Sequence, residues 1–149
     1  MSRIRRFLAR SPAERRLLLA TTGLVLLTKL LVVVLPLRRA RSSLRTLARR
    51  DRRREGRRTR PPDVETLAWS VSVAGDYLPR VRCLSRAVAL QTLLERYDHD
   101  STFVIGVREP GADTFEAHAW VEADGTVVIG DRPDLSTYRT LPVEPRPPA

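Results

Sequence analysis

The chain alternates between long helical periodicities and one region of strand-like alternation. Residues 17–35, LLLATTGLVLLTKLLVVVL, are the most apolar stretch. Polar positions recur through it every seven residues: Glu14/Arg15, Thr21/Thr22 and Thr28/Lys29, with Pro36 on the same spacing. That period predicts a helix with a narrow polar stripe, suited to a protein partner or a membrane surface. From Asp63, a plausible N-cap, Val64, Leu67, Ala68, Val71 and Ala74 fall at helical spacing, with Gly75 and Pro79 closing the element. Leu84, Ala87, Val88, Leu90, Leu94 and Tyr97 predict a second helix that opens at Cys83. STFVIGVRE and AHAWVEADGTVVIGD then read as strands, and STYRTLPVE as a short edge strand before a proline-rich tail. Two helices followed by three or four antiparallel strands predict an α+β domain with helices on one face of a small sheet, preceded by the apolar helix.

Charge divides the chain at about residue 60. Residues 1–60 carry 19 of the 27 basic residues and only three acids, so the net charge of +10 belongs to the N-terminal part. A basic, apolar segment over 1–60 is therefore expected to precede a compact domain over 61–149. In residues 38–60, RRARSSLRTLARRDRRREGRRTR, 12 of 23 residues are arginine. A phosphate-binding arm is one reading, and a solvated helix and linker the other. No aromatic residue is interleaved for base stacking, which argues against specific nucleic-acid binding and leaves anionic lipid as the charged partner. Lys29 inside the apolar stretch disfavours a spanning helix, since a charge at mid-bilayer costs about 2.5–3.5 kcal/mol on the lenient insertion scale. No small-residue cleavage site follows the stretch. The lone cysteine excludes an internal disulfide and fits a reducing cytosol, with or without membrane association. No CxxC pair or other ligand cluster suggests a metal.

The chemistry-bearing residues converge on the hairpin. Asp124-Gly125 between β-runs predicts a type I′ turn, which pairs positions summing to 249. His118 would then face Asp131, on one sheet face with Trp120 and Ile129, provided no bulge shifts the register. A carboxylate that orients an imidazole has an evident use beside a free thiol. The imidazole takes the thiol proton, the thiolate attacks a carbonyl, and the proton passes to the leaving amine. At a helix start, the thiolate of Cys83 gains from the exposed N–H groups, and its own N–H could supply part of an oxyanion hole. His99, in RYDHDS, is the competing base and reads as a solvated loop residue.

At these residues the chain resembles a known family. RCLSRAVALQTLLER, FVIGVRE and FEAHAWVEADGTVVIGD are similar to the transglutaminase-like, papain-like core of lasso-peptide leader peptidases, over roughly residues 64–142. The upstream ERRLLLA…LPLRRARSSL resembles the N-terminal helix of such proteins. The helix-to-strand turn ERYDHDST departs from the basic, Gly-containing turn usual there. The resemblance implies a cysteine peptidase that cuts a ribosomally made precursor at its leader–core junction without a cofactor. Cys83 would be the nucleophile, His118 the base and acid, and Asp131 the orienting carboxylate. It also implies a separate leader-binding protein as partner and an ATP-dependent cyclase acting next. Two alternatives stay open: an acyltransferase sharing the thioester chemistry, and a non-enzymatic Arg-rich membrane or nucleic-acid adaptor.

Overall fold

The computed structural model describes residues 10–55, 61–111 and 114–142. The last five residues of the Arg-rich stretch and the tail beyond Pro142 lie outside them. Helix α1 runs over Pro12–Val34. Ser11 caps it, accepting from the Glu14 N–H while the Glu14 carboxylate accepts from the Ser11 N–H. It ends before Pro36, whose ring pushes Leu35 into an extended conformation. α2 covers Leu37–Glu55, α3 Val64–Tyr77 and α4 Cys83–Arg96. α3 has the expected cap, with Asp63 accepting from the Thr66 N–H at 2.7 Å. Strands β1 (Thr102–Gly111), β2 (Thr114–Ala123), β3 (Thr126–Ile129) and β4 (Arg139–Leu141) form one antiparallel sheet in the order β3-β2-β1-β4. The architecture is α+β, with α4 laid on β2 and both N-terminal helices packed over α4.

α2 bears out the helix in the reading of residues 38–60 as a solvated helix and linker, and corrects its solvation over the described part. Ala40, Leu44 and Ala48 recur at four-residue spacing and are buried. Leu44 belongs to the same core as Leu90 and Leu94 of α4, as does Val25 of α1. Part of the arginine density has a structural cause: Arg41 donates to Gln91, Arg45 pairs with Glu95 at 2.9 Å, and Arg52 with Asp98 at 2.8 Å. Arg41 also lies over the Phe103 ring.

α1 has its polar stripe turned inward. Leu18, Thr21, Val25 and Thr28 are the buried residues. The Thr21 and Ser70 hydroxyls bond at 3.1 Å in the α1–α3 interface, and Lys29 Nζ donates to the Pro79 carbonyl at 2.9 Å. The partner that the stripe fits is therefore this chain's own α3.

The hairpin forms with the expected turn and a different register. Asp124 and Gly125 both have positive φ, and Ala123 pairs with Thr126 and Glu122 with Val127. Next, however, Val121 pairs with Ile129 rather than Val128. Val128 is the extra residue of a bulge, and both Val128 and Ile129 pack toward the core beside Val121. The gain is a second aliphatic side chain over the helices. The consequence is that Asp131 slips by one position and does not stand opposite His118, and Ile129 does not share a face with Trp120. Simple alternation fails at one residue, and everything beyond it moves.

Candidate active site

Cys83 is the first residue of α4 and is half-buried. Arg82 before it is extended and gives no side-chain cap, and the first turn holds no acid. The N–H groups at this end thus remain available to an anion, and the helix dipole adds partial positive charge there. α4 lies against β2, the strand that carries His118.

His118 is 8% exposed, a histidine nearly enclosed by aromatic side chains. The Trp120 ring stacks beside it at 6.1 Å and the Tyr138 ring tilts over it at 5.8 Å. Across the sheet its partner is Gly106. A Cβ at position 106 would meet Trp120 ring carbons and Tyr138 Cβ, each at 2.8 Å. The missing side chain is what admits the two aromatics that flank the imidazole.

His118 Nε2 lies 2.7 Å from the Gly130 carbonyl oxygen. A carbonyl only accepts, so Nε2 carries the proton of this bond and, in the neutral ring, Nδ1 is left as the basic nitrogen. The orienting acceptor is thus a backbone carbonyl rather than the Asp131 carboxylate. Gly130 reaches this place at φ +83°, and a Cβ there would meet the Ala119 carbonyl oxygen at 2.7 Å. Asp131, the next residue, is exposed.

A second set of side chains holds the segment from Gly130 to Tyr138 over the sheet. The Tyr138 hydroxyl donates to Glu116 Oε2 at 3.1 Å, and Arg108 reaches the same oxygen at 2.7 Å. Arg108 also pairs with Asp134 at 2.7 Å, and Arg132 grips Asp134 at 3.0 Å. Arg108 lies 4.8 Å from the Tyr138 ring centre. The hydrogen bond from Arg108, then that from Tyr138, holds the Glu116 carboxyl below its ordinary range. Burial, and after it the bond to Glu116, pushes the Tyr138 phenol up. None of Gly106, Glu116, Gly130 or Tyr138 was singled out from the sequence. The signal available was Glu116, two residues before His118 and so on its sheet face.

The three expected residues are not joined into one hydrogen-bonded array. Ala119 and Val121 point into the core under α4, so His118 and Trp120 project from the other face of β2. Among the described residues, no hydrogen bond links Cys83 to His118, or His118 to Asp131. His99 departs from its reading as a solvated residue: it is half-buried, and its Nε2 bonds the Pro62 carbonyl at 2.8 Å. It fastens the start of α3 to the turn after α4.

A family model described as the transglutaminase-like superfamily matches residues 27–143. The chain belongs to that superfamily. The match begins within α1 and takes in α2, all of the sheet, and Cys83, His118 and Asp131. Members of the transglutaminase-like superfamily are generally cysteine proteases or acyltransferases. No curated protein and no solved structure matches the chain.

Proposed function

We propose that this transglutaminase-like protein is a cysteine peptidase that removes the leader from a lasso-peptide precursor. The observation that carries the catalytic part is the His118–Gly130 bond. It presents an imidazole with a defined basic nitrogen, on the strand packed against the helix that opens with the chain's only cysteine. The substrate rests on the resemblance of RCLSRAVALQTLLER and AHAWVE to leader peptidases.

In this reading His118 Nδ1 removes the thiol proton of Cys83. The thiolate attacks the carbonyl carbon at the leader–core junction, and the C–N bond breaks as His118 protonates the departing amine. The core peptide leaves with a free N-terminus, and the leader stays as a thioester on Cys83. Water, deprotonated by His118, then releases the leader as a carboxylic acid. Gly130 holds the ring, and the adjoining Asp131 carboxylate stabilises the imidazolium. A separate leader-binding protein delivers the precursor, and an ATP-dependent cyclase uses the freed amine. Because His118 projects from the face of β2 turned away from α4, the Cys83–His118 contact forms through a rearrangement of the start of α4 or of the Gly130–Tyr138 segment when substrate binds.

The test is the rate of Cys83 alkylation by iodoacetamide from about pH 4 to pH 10, with and without precursor peptide. It is run on the wild type and on His118→Ala. An isolated thiol titrates near pH ~8.5, whereas one paired with histidine at a helix start titrates well below neutrality. A low-pH thiolate that His118→Ala abolishes is the expected result. An ordinary titration in every condition, indifferent to His118, would overturn the reading. Product mass separates a hydrolysed leader from one transferred to an amine.

A further inference from the structure

Helix α1 is built the wrong way round for a helix facing water. Its only charged residue between Leu17 and Leu35, Lys29, is tied to the Pro79 carbonyl, and its threonines at 21 and 28 are fully buried. The opposite face carries Leu19, Leu26, Leu27, Leu30, Val33 and Val34, all exposed. Leu19, Val33 and Val34 are each more than 60% exposed, at 64%, 80% and 67%. At 1.5 Å per residue the strip is about 22 Å long. It contains no aromatic ring and no side-chain hydrogen-bonding group. Protein interfaces concentrate Tyr, Trp and Arg anchors, which this strip lacks. Exposed arginines bracket it instead: Arg16 near its start and Arg39 just past its end, with Arg49, Arg50 and Arg53 further along α2.

We propose that this outward face of α1 lies flat in the interfacial layer of an anionic phospholipid bilayer, with the bracketing arginines on the lipid phosphates. Aliphatic side chains enter the acyl boundary and guanidinium groups meet the headgroups, the usual division of labour in an in-plane helix. A spanning orientation would require the Thr21–Ser70 and Lys29–Pro79 bonds to break, because α3 is packed along the inner stripe. His118 and the Gly130–Tyr138 segment project from the sheet face turned away from the helices, so a lipid-bound α1 leaves them accessible. The inference is independent of the reaction catalysed.

The experiment is flotation of the full chain with vesicles of phosphatidylcholine alone, or with about 30 mol % phosphatidylglycerol added. It is repeated on Leu26→Glu/Leu30→Glu, with circular dichroism and thermal melting to show that these exposed positions leave the fold intact. The wild type should float with the anionic vesicles at least about ten-fold better than with the neutral ones. The double variant should lose that binding by at least about ten-fold, and alkaline carbonate should release the wild type. Three results would overturn the proposal. One is no flotation of the wild type, or flotation indifferent to the double variant. Another is retention through the carbonate wash, the mark of a spanning helix. The last is a dimer in sedimentation that the double variant dissolves, with no vesicle binding, which would make a second copy the occupant.

Discussion

Gly130→Ala tests the link between the fold and the proposed base in one substitution. Position 130 has φ +83°, where an L-residue pays roughly 1–2 kcal/mol. The new methyl would also sit 2.7 Å from the Ala119 carbonyl oxygen, 2.9 Å from Trp120 Cβ and 3.1 Å from Trp120 Cα. Two of these three neighbours are backbone atoms of the central strand β2, so the segment after β3 must retreat instead. Crowding of that kind adds about 1–3 kcal/mol. Together the cost is about 2–5 kcal/mol, a fall of roughly 5–20 °C in Tm for a domain of this size. Retreat also withdraws the carbonyl that stands 2.7 Å from His118 Nε2. Thermal melting reads the first effect, and long-range ¹H–¹⁵N NMR of the imidazole reads the second. The wild type should show the Nε2–H tautomer, and the variant a mixture of tautomers. An unchanged Tm, or an Nδ1–H tautomer in the wild type, would refute the reasoning.

Two further outcomes follow from packing and charge. Leu44→Ala removes a fully buried side chain of α2 and should cost about 2–5 kcal/mol in urea denaturation; a loss under ~0.5 kcal/mol would mean that α2 is not part of the core. The Glu116 carboxyl titrates lower folded than unfolded, because Arg108 and Tyr138 bond its charged form. Its contribution is therefore present above the unfolded value and lost as pH falls through the folded one. Glu116→Gln should flatten the acid limb of the stability–pH curve, and an identical limb in both proteins would contradict the network.

Much of the site's raw material was legible in local pattern. Cys83 at a helix start follows from the apolar spacing of Leu84 to Tyr97 after Pro79, and the Asp124-Gly125 turn follows from two residues that tolerate positive φ. The orientation of His118 was not legible in the same way. Its flanking groups, Gly106, Tyr138 and Gly130, come from three separate segments brought together only by strand pairing. The expected His118–Asp131 pair failed because the bulge at Val128 is decided by what lies beneath the sheet. With a helical layer there, burying both Val128 and Ile129 outweighs keeping the ladder regular.

The sequence by itself determined the helices, the strands and the tight turn, since each depends on spacing or backbone preference within a few residues. It also separated the basic N-terminal part from the acidic remainder. Tertiary structure decided which way those elements face. The seven-residue polar stripe of α1 fitted a protein partner or a membrane surface equally well, and only the fold supplies Ser70 and Pro79 as its partners, at distances of 49 and 50 residues along the chain. The arginines of α2 looked uniformly solvated, yet three of them meet Gln91, Glu95 and Asp98. Periodicity identifies a face as polar or apolar; only the groups packed against it determine whether that face meets protein, water or lipid.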